Sequence, residues 1–240
     1  MQRLPIYLLS YPRSGNTLAR TYFSLLQGRP QPSIYPGDVL LPEHGPLTDA
    51  LDQFELIKSH HFEPQYQEII YLVRDGRNAM ISHLYMQFLF QGHTLSRLDE
   101  LYEGLRMLTA QGHFWGDHAG AGRGYADTKG VCFIRHEDLV RDPAASLRTM
   151  IRFIGANVTD AAIEEAIRRA RASRTYVLNY HNGFTYKPEE NSIYDLLQRH
   201  RGGDYWRRIF DERSRRYFHE QGGTEHLLHF GYEHSSQWWE

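Results

Sequence analysis

Three short segments gather residue types that bind and move anionic groups. The first is Ser10-Tyr11-Pro12-Arg13-Ser14-Gly15-Asn16-Thr17, which follows the apolar run Ile6 to Leu9 and leads at once into a helical pattern. A tight glycine-containing turn between strand and helix aims backbone N–H groups and the positive end of the helix dipole at one point, so a phosphate or sulfate fits there. Arg13 adds a fixed cation, and Ser14, Asn16 and Thr17 add side-chain donors. The same residues also read as a capped βα turn, with Ser14 or Asn16 as the cap and Arg13 in solvent. The spacing of a Walker loop, G-x-x-x-x-G-K-[ST], is absent.

The second segment is Lys58-Ser59-His60, at the end of the apolar run Phe54 to Ile57. A histidine there can take a proton from a hydroxyl near neutral pH, and a lysine can stabilise charge building on a phosphate or sulfate oxygen. The chain has 14 histidines, and His61 stands beside His60 as an alternative base. The third segment, Val73-Arg74-Asp75-Gly76-Arg77, closes another apolar run, and Ser82 follows eight residues after Arg74. Two helical turns span that spacing, so Arg74 and Ser82 can touch one phosphate. The competing reading pairs Arg74 with Asp75 at the surface.

The elements that must position these residues alternate in type. Ile6–Leu9, Phe54–Ile57, Ile69–Val73 and Val131–Ile134 are short and mostly apolar, as strands buried on both faces of a parallel sheet are. Leu18, Tyr22, Leu25 and Leu26 follow helical spacing after the first run, and Ile81, Leu84, Tyr85 and Phe88 after the third. After the fourth come Asp142 as an N-cap, Pro143 at the first helical position, the stripe Leu147, Met150, Ile151 and Ile154, and Gly155 as the stop. Thr159 caps a further helix with the stripe Ile163, Ala166, Ile167 and Ala170. The alternation predicts an α/β fold with right-handed crossovers, whose ligands bind beyond the carboxyl ends of the strands. Two stretches read as loops: Pro30 to Pro46, with five of the ten prolines, and Gly112 to Gly130, with six of the twenty glycines.

Composition narrows the classes. At 240 residues the chain is one ordinary domain, read here as spanning residues 1–240. Lys+Arg number 27 against 29 Asp+Glu, without a basic block, which argues against nucleic acid as a partner and requires any anion to be held locally. The single cysteine, Cys132, excludes an intramolecular disulfide and a C-x-x-C zinc or redox site, so a reducing, cytoplasmic setting is expected. No run of about 18 apolar residues marks a transmembrane segment.

In this order the segments resemble the sulfotransferases that use 3′-phosphoadenosine 5′-phosphosulfate (PAPS). Tyr11 to Thr17 is similar to that family's 5′-phosphosulfate loop, Y-P-[KR]-S-G-T-T, with Asn16 in place of a threonine. Lys58-Ser59-His60 resembles its K-[TS]-H segment, and Tyr71-Leu72-Val73-Arg74-Asp75 through Ser82 its 3′-phosphate segment. His136-Glu137-Asp138-Leu139-Val140-Arg141-Asp142-Pro143, with Phe153-Ile154-Gly155, resembles Y-E-D-L-x-x-D-P…F-L-G. Arg201-Gly202-Gly203-Asp204-Tyr205-Trp206-Arg207 resembles a shortened form of the late R-K-G-x-x-G-D-W-K segment. Leu18 and His136 stand where cytosolic members often carry an adenine-stacking Trp and an adenine-facing Tyr.

The resemblance implies a three-layer α/β/α, P-loop NTPase-like fold with a central, mostly parallel sheet. It implies transfer of a sulfuryl group from PAPS to a hydroxyl, or less readily an amine, with PAP as product and no metal. His60 would be the general base, with Lys58 and Arg13 beside it in the chemistry. Arg13, Ser14, Gly15, Asn16, Thr17, Arg74, Ser82, Arg201 and Gly203 would bind the donor. The acceptor, whether a small molecule, glycan, lipid or peptide, and the oligomeric state are left open by the sequence. The alternatives are an ATP-dependent kinase of P-loop type, which needs Mg²⁺ and a carboxylate such as Asp75 at a strand end, and a non-catalytic nucleotide-binding module of the same fold.

Overall fold

All four apolar runs form strands of one parallel sheet. In a computed structural model of the chain, which describes residues 3–41, 44–90, 99–127, 129–172 and 205–240, these are β1 (Leu4–Ser10), β2 (Phe54–Ser59), β3 (Glu68–Val73) and β4 (Gly130–Arg135), in the order β2-β1-β3-β4. The registers Leu8↔Lys58 and Ser10↔Leu72 bring the ends of β2 and β3 level with the end of β1. Chain direction across the sheet reverses at β1, which has β2 on one side and β3 on the other. That reversal makes the carboxyl ends of β1, β2 and β3 the expected place for a ligand in a sheet of this topology.

The described residues fall into two compact units. One draws on residues 3–10, 14–73 and 124–172, the other on residues 11–13, 74–123 and 205–240. The first holds the sheet with α1 (Asn16–Gln27), α5 (His136–Arg141), α6 (Pro143–Phe153) and α7 (Asp160–Ala172). Its core joins Ile6, Leu8, Leu56, Ile70, Leu72 and Ile134 of the strands to Phe23 and Leu26 of α1, Leu147 and Met150 of α6, and Ile163 of α7. Burying each such side chain contributes roughly 1.5–3 kcal/mol. The caps read from the sequence are present: Asp142 accepts from the Ala145 N–H at 2.9 Å, Thr159 accepts from the Ala162 N–H at 3.3 Å, and Gly155 takes a φ of +72°. Cys132 is buried in this core, and burial pushes its thiol up to about 11.

The second unit is helical, with α2 (Gly76–Phe90), α3 (Asp99–Ala110), the greater part of α4 (Trp115–Ala126), α8 (Trp206–Ile209), α9 (Glu212–Glu220) and α10 (Gly223–His229). Arg77 is fully buried here, its guanidinium 3.6 Å from the Trp206 ring centre and 4.5 Å from that of Trp238. Asp75 and Glu233 pair with it, so the charge is doubly compensated.

One sequence expectation is corrected in this unit. The stretch from Gly112 to Gly130 does not form a loop, because Trp115–Ala126 is helical. Glycine lowers helix propensity by about 1 kcal/mol per residue, but here it permits close packing. A Cβ on Gly116 would lie 2.4 Å from the Phe114 ring, and one on Gly120 would lie 3.2 Å from His226. The fully buried Trp115 anchors the helix, and Trp115 and Phe114 both pack against Phe218. Between Pro30 and Pro46 no described residue belongs to a helix or strand, as expected.

Candidate active site

The turn between β1 and α1 is built by two left-handed residues. Arg13 has a φ of +71° and Gly15 a φ of +96°. Such a backbone strains Arg13, which lacks the freedom of glycine. Asn16 ties the turn back to the strand by donating from its amide to the Leu8 carbonyl at 3.0 Å and the Ser10 hydroxyl at 3.3 Å. Helix α1 therefore begins at an uncapped Gly15, and neither Ser14 nor Asn16 caps it. The Ser14 hydroxyl is fully buried without a hydrogen-bond partner. A buried hydroxyl with no partner at an uncapped helix start suits an anion rather than a closed structural turn. The His136 ring packs over the turn, where a Cβ on Gly15 would come within 2.5 Å of Nδ1.

At the neighbouring end of β2, His60 has its ring fixed. Its Nδ1 lies 2.7 Å from the Ser10 carbonyl oxygen, an acceptor that cannot donate. The neutral ring therefore carries its proton on Nδ1 and keeps Nε2 as the basic nitrogen. The His60 backbone N–H donates to the Tyr35 hydroxyl at 2.9 Å. His61 is exposed, with its N–H bonded to Ser59. Lys58 is buried and donates to Asp38 at 2.6 Å, and Arg20 donates to the other oxygen of that carboxylate at 2.8 Å. Burial by itself would raise the Asp38 carboxyl, but the hydrogen bonds from Lys58 and Arg20 override it and hold the group at about 2.

In the second unit the remaining cations meet one another. Arg13 Nε donates to the Ser82 hydroxyl at 3.1 Å, and Arg74 donates to the Arg13 carbonyl at 2.7 Å and to the Tyr205 hydroxyl at 3.0 Å. Arg74 thus does not pair with Asp75, whose two carboxylate oxygens receive Arg77 Nε and Nη2. That carboxylate, required at a strand end by the kinase reading, is committed to a structural pair. Tyr11 donates to the His113 carbonyl at 2.8 Å and lies 3.0 Å from His83 Nδ1, and burial pushes its phenol far up.

The chain passes between the units at the Ser10–Tyr11, Arg13–Ser14, Val73–Arg74 and Arg123–Gly124 peptide bonds, and each of the two groups lies within one unit. Arg13, Arg74 and Ser82 come together, as do Ser10 and His60, and Lys58 meets Asp38, while Arg201 and Gly203 lie outside the described residues. Sequence reasoning missed Asp38, Tyr35 and Tyr205. Tyr205 lies within the late segment Arg201 to Arg207, a signal that was present without pointing to the tyrosine, whereas nothing in the spacing of the proline-rich stretch points to Asp38. Among the described residues no three His, Cys, Asp or Glu side chains gather as metal ligands, and no helix is long and apolar enough to cross a membrane.

Residues 47–225, well over half of the chain, match the family model of the sulfotransferase domain. The chain belongs to the sulfotransferase domain family. Among solved structures it is similar to mouse sulfotransferase SULT7A1 complexed with PAP, at 20% identity and a TM-score of 0.60 over 93% of this chain and 84% of that one. It is also similar to retinol dehydratase in a complex with retinol and PAP, at 14% identity and a TM-score of 0.62 over 95% and 82% of the two chains. A third likeness is the sulfotransferase domain of the Synechococcus PCC 7002 olefin synthase, at 18% identity and 0.50 over 88% and 90%. These likenesses carry the α/β fold with its parallel sheet. No curated protein matches the chain significantly.

Proposed function

We propose that residues 1–240 work as one sulfotransferase domain that moves a sulfuryl group from PAPS to a hydroxyl, or less readily an amine, of its acceptor. The observation that carries the reading is the fixed ring of His60, whose Nδ1 faces the Ser10 carbonyl just past the end of β2, two residues after Lys58 in the chain. The uncapped turn with its buried, partnerless Ser14 hydroxyl supports an anionic ligand there. PAP in the related complexes is consistent with this donor.

PAPS supplies the sulfuryl group, whose bond to the phosphate oxygen breaks as the acceptor oxygen bonds to sulfur, with PAP leaving. His60 Nε2 takes the acceptor proton, and the Ser10 carbonyl steadies the imidazolium through Nδ1–H. Arg13 and Lys58 stabilise negative charge growing on the leaving phosphate. Ser14 to Thr17 supply N–H and side-chain donors to the 5′ group. Arg74 and Ser82 hold the 3′-phosphate, and Arg201 and Gly203 are assigned to the donor by resemblance alone. Charge-assisted hydrogen bonds of this kind contribute roughly 1.5–3 kcal/mol each. The proposed setting is cytoplasmic, in keeping with a single, buried cysteine.

Thermal unfolding with PAP, with ATP and Mg²⁺, with AMP and without ligand tests the donor. At 100-fold over its Kd a ligand adds about 2.7 kcal/mol, which for this size raises Tm by roughly 5–10 °C. The reading expects that shift with PAP and its loss in Arg74→Ala. A shift with ATP and Mg²⁺ but none with PAP overturns it in favour of a kinase, and silence from every nucleotide favours a non-catalytic module. PAP release from PAPS with a panel of phenols, sugars, alcohols and amines then searches for the acceptor.

A further inference from the structure

Asp38 lies in the proline-rich stretch, outside every motif that the sequence offers, yet it is the carboxylate that holds the lysine of the candidate site. The loop carrying it is fastened to β2 at several points. The Lys58 N–H donates to the Pro32 carbonyl at 3.0 Å, and the Ile34 N–H donates to the Lys58 carbonyl at 3.0 Å. Strand β2 is the edge of the sheet, so this segment covers an otherwise open row of backbone groups. Four residues further on, Asp38 receives Lys58 Nζ on one carboxylate oxygen and Arg20 on the other. Arg20 is 1% exposed and also donates to the Gln31 and Asp38 carbonyls at 2.7 and 3.1 Å, so α1 anchors the loop from beneath.

The charges decide what this arrangement does. A carboxylate pairing with Lys58 alone would cancel the field that an anionic donor needs. Here Asp38 contributes −1 while Arg20 and Lys58 contribute +1 each, so the trio keeps a net +1. Arg20 neutralises the carboxylate, and Lys58 is held in place with its charge uncancelled. A lysine ammonium has three N–H bonds, and one serves Asp38, which leaves two for oxygens of a ligand. Lysine is flexible and loses much rotamer freedom when fixed, so holding it beforehand removes that cost from the reactive complex.

We propose that Asp38 is a positioning residue: braced by Arg20, it fixes the Lys58 ammonium at the end of β2 so that the lysine acts on the leaving group without losing its charge. Tyr35 serves His60 from the same loop, by accepting its backbone N–H. The proposal rests on the assignment of Lys58 and His60 to sulfuryl transfer, and its test separates the two.

Asp38→Asn, Asp38→Ala and Asp38→Glu are compared with the unaltered protein by PAP calorimetry, by PAP release from PAPS in water, and by Tm. In the absence of any nucleotide, acetylation of Lys58 by acetic anhydride is followed by peptide mass. The proposal expects PAP affinity within about threefold of the original in Asp38→Asn and turnover lower by roughly 10- to 100-fold, as for a misplaced catalytic group. It expects Lys58 acetylation several-fold faster once the carboxylate no longer holds the side chain in its buried position, and partial recovery of both in Asp38→Glu. Wild-type turnover and acetylation in Asp38→Asn overturn it. So does a parallel fall of PAP affinity, turnover and Tm, which marks a merely structural loop. A His60→Ala protein that releases PAP at the original rate overturns the reading of the site instead, and the acetylation rates still judge the hold of Asp38 on Lys58.

Discussion

Replacing Gly15 by alanine isolates the physical demands of the turn before α1. The left-handed backbone at φ +96° and ψ 11° costs an L residue about 1–2 kcal/mol, and the upper end applies because these angles lie beyond the usual left-handed centre. The new Cβ would also stand 2.5 Å from His136 Nδ1 and 3.3 Å from Cε1. The imidazole must retreat by roughly 1 Å to regain van der Waals distance. Displacing it costs about 0.5–1.5 kcal/mol in rotamer strain. Together the two terms give about 2.5–3.5 kcal/mol, and a Tm lower by roughly 5–14 °C. His136→Ala removes the obstacle but not the backbone cost, so the double variant should fall short of additivity by about 1 kcal/mol. Denaturant unfolding of the four proteins measures this, with PAP calorimetry alongside. If the turn binds the donor, PAP affinity drops about tenfold or more in both alanine-15 proteins, which corresponds to 1.4 kcal/mol of lost contact. Full stability of Gly15→Ala would refute the reasoning, and complete recovery in the double variant would refute its backbone part.

Three further outcomes are expected. His60→Ala lowers kcat for PAP release by roughly 10²–10⁴ while calorimetry finds PAP affinity nearly unchanged, whereas His61→Ala leaves both as they were. The Asp38 carboxyl is held at about 2, below the ordinary 3.8, so its ion pairs stabilise the fold above about pH 4, and that contribution is lost as pH falls toward 2. With 32% of the side chain exposed, solvent screening reduces the effect to roughly 1–2 kcal/mol, so the Tm gap between the original protein and Asp38→Asn should close across that window and stay constant above pH 5. Asp142→Ala removes the acceptor for the Ala145 N–H at the start of α6 and should cost about 1 kcal/mol in urea unfolding, with PAP affinity untouched.

Much of the sheet and its helices was legible because local rules govern them. An apolar run such as Ile69 to Val73 has few alternatives to a strand buried on both faces, and Asp142-Pro143 fixes a helix start by hydrogen bonding and ring geometry within four residues. The segment Gly112 to Gly130 was misread because its helicity comes from outside the segment. Phe218 of α9 and His226 of α10 press against α4, a contact that sequence spacing within 115–126 does not encode.

The candidate site divides along the same line. Residue types and order by themselves carried the resemblance to the sulfotransferases, a family that the domain match shows, and pointed to Arg13, Lys58, His60, Arg74 and Ser82 as candidates, because cations at strand ends and a loop of N–H groups suit an anionic ligand. Only the tertiary structure decided how those residues are held. The Ser10 carbonyl sets the tautomer of His60 across 50 positions of sequence, Tyr205 reaches Arg74 across 131, and Asp38 takes Lys58 and Arg20 from separate elements. Hydrogen bonds and ion pairs are short-ranged in space and indifferent to separation along the chain, so a sequence pattern names the charges but not the partners that fix their positions.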